Sequence, residues 1–404
     1  VLRIDGSQQA EAWTVARLAS LSPEAVAASL PAMMQAAAAK RDAHWGRRVS
    51  YSRKVFAPLT NMCRDTCGYC TFVKHPSDPE ARIMTPEQVL ETAREGEATG
   101  CKEMLLSLGE KPELRYDAAR AWLARLGDSR MTDFLADICA LVLSETTLIP
   151  HINAGTMSRE EFELLKPVAG SMGMMLETTS RALTREGGPH YACPDKVPVQ
   201  RLRTLERAGQ AGVPFTTGLL IGIGESWADR IAALEAIAAS HASHGHIQEV
   251  IIQNFQAKPG IAMENHLAPS LEDMLASLAA AQLILPAEIS LQAPPNLSAR
   301  HIAYLDAGIN DWGGISPVTI DFINPGHAWP EIDTLARSCA AAGFALEERL
   351  TIYPRFLDRA EHFVSPGLRA PLAAMARADG MALDQALDQA PDQALHQARE
   401  GIAQ

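Results

Sequence analysis

Cys63, Cys67 and Cys70 stand in the run Met62-Cys-Arg-Asp-Thr-Cys-Gly-Tyr-Cys-Thr-Phe72. The spacing C-x-x-x-C-x-x-C puts three thiolates on one short loop, within reach of a single iron–sulfur cube. A 4Fe-4S cluster ordinarily takes four protein thiolates. Three on one loop, with no fourth near in sequence, leave one iron open to an outside ligand. Such a cluster can act on a bound molecule as well as pass electrons along. Zinc is the competing reading. It also accepts thiolates, but structural zinc sites are closed and four-coordinate, usually built from two separated C-x-x-C-like pairs. The next cysteine, Cys101, is solitary, so zinc would have to recruit a residue such as His75 to complete a Cys₃His set.

Such a loop needs a scaffold. From Val55 onward, short apolar runs alternate with helix-like stretches. The pattern predicts strands at 55–60, 103–108, 147–152, 172–177, 214–221, 248–254, 288–293 and 312–316. Helices are predicted near 86–99, 131–144, 158–166, 198–211, 226–243, 270–283, 298–307 and 331–342. Thr85-Pro86-Glu87, Ser158 with Glu161, and Ser270 with Asp273 read as helix starts. Strands alternating with helices imply parallel βαβ units, and eight of them imply an α/β fold of the (βα)₈, TIM-like type. Chemistry in that fold sits on the loops at the C-terminal ends of the strands, and the cysteine loop follows the first strand directly. Upstream, alanine-rich sequence with Ser22-Pro23-Glu24 as a capped start predicts a helical prelude. Downstream, Ala382-Leu-Asp-Gln385 recurs with variation to residue 397, broken by Pro391, and reads as a low-complexity tail. The expected organisation is a helical N-terminal extension over 1–50, a barrel over 51–360 and a C-terminal extension over 361–404.

The cysteine motif resembles that of the radical S-adenosylmethionine (SAM) superfamily. Tyr69 strengthens this, because that superfamily places an aromatic residue just before the third cysteine, against the adenine. The strand ends offer further candidates. Gly109 and Glu110, in Ser107-Leu-Gly-Glu-Lys-Pro-Glu113, resemble the superfamily's loop for the amino group of SAM; read alone, they are a turn. Glu177 can hold ribose hydroxyls or an arginine. Arg201 is its candidate partner and can reach the SAM carboxylate, or is simply a helix-face charge. Gly218-Leu-Leu-Ile-Gly-Ile-Gly-Glu225, with Gly222 at its centre, fits the superfamily's strand along the adenine and lacks the G-x-G-x-x-G dinucleotide fingerprint. Gln253-Asn-Phe255, Gln292 to Asn296 and Asp311-Trp-Gly-Gly314 put amides, an acid and an indole at successive strand ends, suited to a polar heterocycle carrying hydroxyls. His151 and Asn153 end the third strand and, with Asp311, are the candidate catalytic residues.

Composition narrows the class. The chain has 404 residues and 47% hydrophobic content, ample for a large core. A net charge of −12 leaves no electrostatic footprint for nucleic acid. No apolar run is long enough to span a membrane, and Val1 to Ala10 lacks the layout of a signal peptide. Seven cysteines, three clustered and four scattered, are not a disulfide framework. A reducing, cytoplasmic setting is expected.

The resemblance then sharpens to one family. Tyr51-Ser-Arg-Lys-Val-Phe56, Thr60 to Phe72, Leu108-Gly-Glu-Lys-Pro-Glu113 and His151-Ile-Asn-Ala-Gly155 look like the ring-closing 7,8-didemethyl-8-hydroxy-5-deazariboflavin synthases. So do Pro194-Asp-Lys196, Pro214-Phe-Thr-Thr-Gly218, Ala293-Pro-Pro-Asn296, Asp311-Trp-Gly-Gly314 and Leu350-Thr-Ile-Tyr353. The likeness covers about 50 to 357, with Cys193 standing where that family more often has serine. It implies a radical SAM barrel and a lyase of coenzyme F-420 biosynthesis. The implied reaction cyclises 5-amino-5-(4-hydroxybenzyl)-6-(D-ribitylimino)-5,6-dihydrouracil to the deazaflavin with loss of ammonia, through a 5′-deoxyadenosyl radical. It implies a 4Fe-4S cluster on Cys63, Cys67 and Cys70, SAM as second cofactor, a protein reductant, and a sister radical SAM subunit that makes the adduct. The alternatives are that sister hydroxybenzyl-transferring enzyme, another small-molecule radical SAM enzyme, or a metal-bearing scaffold that catalyses nothing.

Overall fold

The computed structural model describes residues 13–383. The signal-peptide reading of Val1 to Ala10 and most of the C-terminal repeat lie outside them. Eight parallel strands close into a barrel: β1 (Arg48–Pro58), β2 (Glu103–Ser107), β3 (Ile149–Asn153), β4 (Ser171–Gly173), β5 (Phe215–Ile221), β6 (Ile247–Asn254), β7 (Ser290–Gln292) and β8 (Asp311–Ile315). Each pairs with its successor, β8 returns to β1, and Lys54–Pro58 of β1 pair with Glu103–Ser107 of β2 to shut the ring. This is the expected (βα)₈ barrel. Its helices begin where the capping signals stand. Thr85 with Gln88 and Ser158 with Glu161 form capping boxes, and the Asp273 amide donates to Ser270 Oγ at 3.1 Å.

Strand β1 starts at Arg48, not at Val55. Its period-two alternation explains why. Val49, Tyr51 and Val55 join the apolar belt under the helices, while Ser50, Ser52 and Lys54 face the barrel interior. The segment therefore reads as polar although it is a central strand. Elements outside the predicted set include a helix at Asp117–Leu126, a ninth strand, β9 (Ala345–Glu348), which runs parallel to Arg48–Tyr51, and helices after it such as Pro366–Met375. The stretch predicted as helix near 298–307 is a 3₁₀ run, His301–Ala307.

Upstream of the barrel, Ser22 caps the helix Pro23–Trp45 by accepting from Ala25 N at 3.2 Å. Arg41 of that helix is buried and donates to the carbonyls of Leu305 and Ile309 at 2.9 and 2.7 Å. Downstream, the chain after β9 passes under the barrel. Ile149, Leu350, Ile352, Tyr353 and Phe356 form a second apolar cluster there, and Arg349 and Thr351 reach up into the lumen. The N-terminal end is thus plugged and the C-terminal mouth is open. Among the described residues no helix is long and apolar enough to cross a membrane.

Candidate active site at the barrel mouth

The cysteine loop is fastened to the loop that leaves β2. Gly109 N donates to Thr60 O at 2.8 Å, Arg64 N to Glu110 O at 2.9 Å, and Glu110 N to Cys63 Sγ at 3.1 Å. Contact is so close that a Cβ on Gly109 would lie 2.0 Å from the Met62 carbonyl oxygen and 2.9 Å from Cys63 Cβ. The far end of the cysteine loop is held by Gly68 N to Pro189 O at 2.8 Å. Asp195 pairs with Arg64 and accepts from Thr156 Oγ1 at 2.9 Å. Cys63, Cys67 and Cys70 all line one cavity of about 250 Å³ at the mouth, with Tyr69, Gly109 and Glu110.

The opposite wall carries charge. Glu177 has a left-handed backbone, φ 64°, and is bonded into the barrel by Glu177 N to Gly218 O at 2.8 Å. That turn aims its carboxylate at the cavity, where it accepts from Tyr69 OH at 2.6 Å and Lys196 Nζ at 2.7 Å. Arg201 is buried between two acids, 3.7 Å from Glu110 and 3.8 Å from Glu177. Burial works against the charge on Glu177, but Lys196, Arg201 and His190 outweigh it and hold its pKa well below the usual carboxylate range. Asp65 is the reverse case. Burial, with Glu110 and Asp195 close by, pushes it up to about 7. Between the walls, Tyr69, Leu220 and Phe255 belong to one apolar cluster that edges the cavity.

The structure brings these sequence-derived residues to this cavity: Cys63, Cys67, Cys70, Tyr69, Gly109 and Glu110, then Asn153, Glu177 and Arg201, with Gln253, Asn254 and Phe255 from the end of β6. Others stand elsewhere. Gly222 turns with φ 85° and faces Pro269, and its strand-end partner Glu225 ties the turn by accepting from Gly222 N and Ile223 N while pairing with Arg230. His151 lines a second, lower chamber inside the lumen, where burial lowers its pKa to about 4. Asp311 is fully buried and taken up by Arg349 at 2.6 and 3.0 Å, by Ser50 and by Gly313 N. Its carboxylate is therefore a structural counter-ion, not an acid or base at the mouth. Trp312 is also buried, donating to Cys339 Sγ at 3.3 Å, and His75 is exposed and bonded to Ser77.

Some mouth residues carried no individual signal in the sequence. Lys196 stands in the Pro-Asp-Lys motif and Asp65 between two cysteines, but their partners are some 130 residues apart in the chain for Asp65 and Asp195. Only closure of the barrel joins them. Cys193 is the clearest case. It is distant in sequence, its thiol donates to Tyr191 O at 3.4 Å, and its nearness to Cys67 raises the Cys67 pKa and lowers its own.

The residues present fit a cluster and SAM on three counts. The first is the donor set. Three thiols from one loop line the cavity, and Cys193 is not among the residues that line it. A single zinc at roughly 2.3 Å from each thiolate would draw them together. Among the described residues, the set of ligating atoms within 4.8 Å of one another is instead Asp65, Glu110 and Asp195. The second is the thiol chemistry. Burial pushes Cys63 up to about 12, so a bound metal is what would make it a thiolate. The third is that Asp65 Oδ2 and Asn254 Oδ1 are buried at the cavity with no hydrogen-bond partner among the described residues, acceptors that a ligand bearing N–H groups would satisfy.

Comparison with known proteins agrees. The model of the Radical SAM superfamily matches residues 57–237. The chain is 47% identical over 313 residues to the 7,8-didemethyl-8-hydroxy-5-deazariboflavin synthase of Methanopyrus kandleri, covering 77% of this chain and 93% of that protein. It is 48% identical over 364 residues to the FO synthase of Streptomyces coelicolor, covering 87% of this chain but 42% of that longer protein. The FeFe-hydrogenase maturase HydG from Carboxydothermus hydrogenoformans shares the fold, with a TM-score of 0.65 at 16% identity over 92% of this chain and 89% of its own.

Proposed function

The chain belongs to the 7,8-didemethyl-8-hydroxy-5-deazariboflavin synthase family of the radical SAM superfamily, and from that premise we propose that it is the ring-closing enzyme. It takes the adduct of a hydroxybenzyl group with ribityldiaminouracil and cyclises it to the deazaflavin, releasing ammonia. The observation that carries this reading is the mouth itself: three thiols, the Gly109–Glu110 loop and the Glu177–Arg201 pair around one cavity. The near full-length match to a deazariboflavin synthase supports ring closure over hydroxybenzyl transfer. The chain spans about two-fifths of the Streptomyces FO synthase, so supply of the adduct falls to a sister enzyme or to a further part of the protein.

Cys63, Cys67 and Cys70 would hold the 4Fe-4S cluster, and Glu110, Glu177 and Arg201 would face SAM. When bound, the cluster and SAM would supply one-electron reductive chemistry at the sulfonium and, from it, a radical able to take a hydrogen from the substrate. The chain's own residues do the rest by position. The two buried acids flanking Arg201 fix its guanidinium, so its charge is aimed before any ligand arrives. Tyr69, braced on Glu177 and His190, sets one edge of the cavity, and the Leu220–Phe255 shelf excludes water from it. A reductant protein is needed to deliver the electron.

Anaerobic turnover tests the proposal. Reconstituted protein, dithionite, SAM and the adduct are expected to give a fluorescent deazaflavin of the cyclised mass. Release of 5′-deoxyadenosine with an uncyclised product would point to the sister reaction. No 5′-deoxyadenosine at all would leave a scaffold.

A further inference from the structure

Beneath the mouth lies a second chamber of about 110 Å³, inside the barrel and joined to the first through Asn153 and Met175, which line both. Its floor is Arg349 and Thr351, and its walls mix polar side chains such as Lys54, Glu103 and Gln292 with Leu105, Met174 and Ile251. Arg349 is already committed, to Asp311 and to Glu249 at 3.0 Å. Lys54 is not. It is more than nine-tenths buried and lines the chamber; its Nζ has no hydrogen-bond or ion-pair partner among the described residues and rests only near the rings of Trp329 and Phe56, 4.9 and 5.7 Å from their centroids. The Gln292 amide and His151 Nε2 also line this space without a side-chain partner there, His151 being tethered through Nδ1 to Ser171 Oγ at 2.7 Å.

The Gly313-Gly314 pair makes room for this arrangement. A Cβ on Gly314 would lie 2.3 Å from Lys54 Cδ, and one on Gly313, where φ is 73°, would lie 2.1 Å from Gln292 Nε2. The two glycines of the Asp-Trp-Gly-Gly motif thus leave Lys54 and Gln292 space in the lumen. An amine and an amide without hydrogen-bond partners in a lumen chamber are an unfinished set of hydrogen bonds. The ligand that completes them must be narrow, because the chamber is less than half the size of the mouth. It must be uncharged overall, because the lining sets Lys54 and Arg349 against Glu103 and Glu249, with Glu103 in register with Lys54 on the neighbouring strand. It must also donate and accept along its length. A flat ring meets none of these demands as well as an open chain of hydroxyls does.

We propose that the lower lumen is a polyol subsite, in which Lys54 and Gln292 bind the hydroxylated side chain of the substrate while its ring stays in the mouth. This rests on the proposed function for the identity of the ring, but not for the chemistry of the chamber. Two measurements separate them. In the first, calorimetry on the anaerobic, SAM-loaded protein compares a 6-ribitylaminouracil with its 6-methylamino counterpart. The ribityl compound is expected to bind at least about tenfold tighter. Lys54→Met and Gln292→Leu, two independent variants, are each expected to erase most of that preference while the methylamino compound's affinity moves by less than about twofold. In the second, turnover of the full adduct is assayed, where the variants are expected to raise KM more than they lower kcat. Equal affinity for the two pyrimidines in the unaltered protein, or variants that weaken both alike, would overturn the subsite. A ribityl preference sensitive to Lys54→Met in a protein that does not cyclise the adduct would uphold the subsite and overturn the proposed reaction.

Discussion

Gly109→Ala tests how tightly the cysteine loop depends on its neighbour. The added Cβ would sit 2.0 Å from the Met62 carbonyl oxygen, 2.6 Å from its carbon and 2.9 Å from Cys63 Cβ. Ordinary contact for such atoms is about 3.5 Å, so backbone must retreat by roughly 1.5 Å. No flexible side-chain end is there to yield, since two of the three atoms are main chain. The retreat also breaks the 2.8 Å bond from Gly109 N to Thr60 O and the 3.1 Å bond from Glu110 N to Cys63 Sγ. Overpacking of this kind costs about 1–3 kcal/mol in stability. The effect on chemistry is larger, because a displacement near 1 Å in a reacting assembly can lower its rate by about a hundredfold. Iron content after anaerobic reconstitution and 5′-deoxyadenosine released per minute are the assays. The variant is expected to fold, to hold less iron and to cleave SAM about a hundredfold more slowly. Full iron with unchanged cleavage would refute the claim that the β2 loop positions the cluster loop.

Single alanine replacements at Cys63, Cys67 or Cys70 are each expected to abolish cluster assembly and turnover; a triple-alanine variant that keeps full iron would contradict the donor set. Arg349→Met leaves Asp311 and Glu249 buried without their cation and should cost about 3–5 kcal/mol in chemical unfolding. Adding Asp311→Asn and Glu249→Gln to it should restore part of that loss, and no restoration would mean that Arg349 acts by packing alone. His151 has its pKa lowered to about 4 by burial, against an unfolded value near 6.5. Between those values the unfolded chain takes up a proton that the folded chain refuses, so stability is lost as pH drops, by up to about 1.4 kcal/mol per unit. The stability gap between the unaltered protein and His151→Gln should shrink by that amount as pH drops through the window, and a gap independent of pH would show that His151 titrates normally.

What was legible in the sequence follows from what each pattern encodes. Helix starts were readable because a capping side chain and its partner sit three residues apart, as Ser158 and Glu161 do. The first half of β1 was not, because barrel strands bury a polar lumen face, and Ser50, Ser52 and Lys54 look like surface. β9 is only four residues long and partly exposed, too short to show a period. At the site, the cysteine loop was legible because its ligands are local. Arg201 was legible as a candidate, but not its two acids together, since Glu110 and Glu177 come from different strand ends. Asp311 misled for a related reason: its position at a strand end is that of a catalytic acid, and only Arg349, arriving from below the barrel, shows that the charge is already neutralised. Lys54 was overlooked because an isolated lysine between Arg53 and Val55 carries no sign of burial.

The proposed reaction requires a cube held by Cys63, Cys67 and Cys70 with one iron free for SAM. Anaerobically reconstituted protein should carry about four irons per chain, and the low-temperature EPR signal of its reduced cluster should change when SAM is added. A stoichiometric zinc in place of iron, or a cluster whose spectrum is indifferent to SAM, would contradict it.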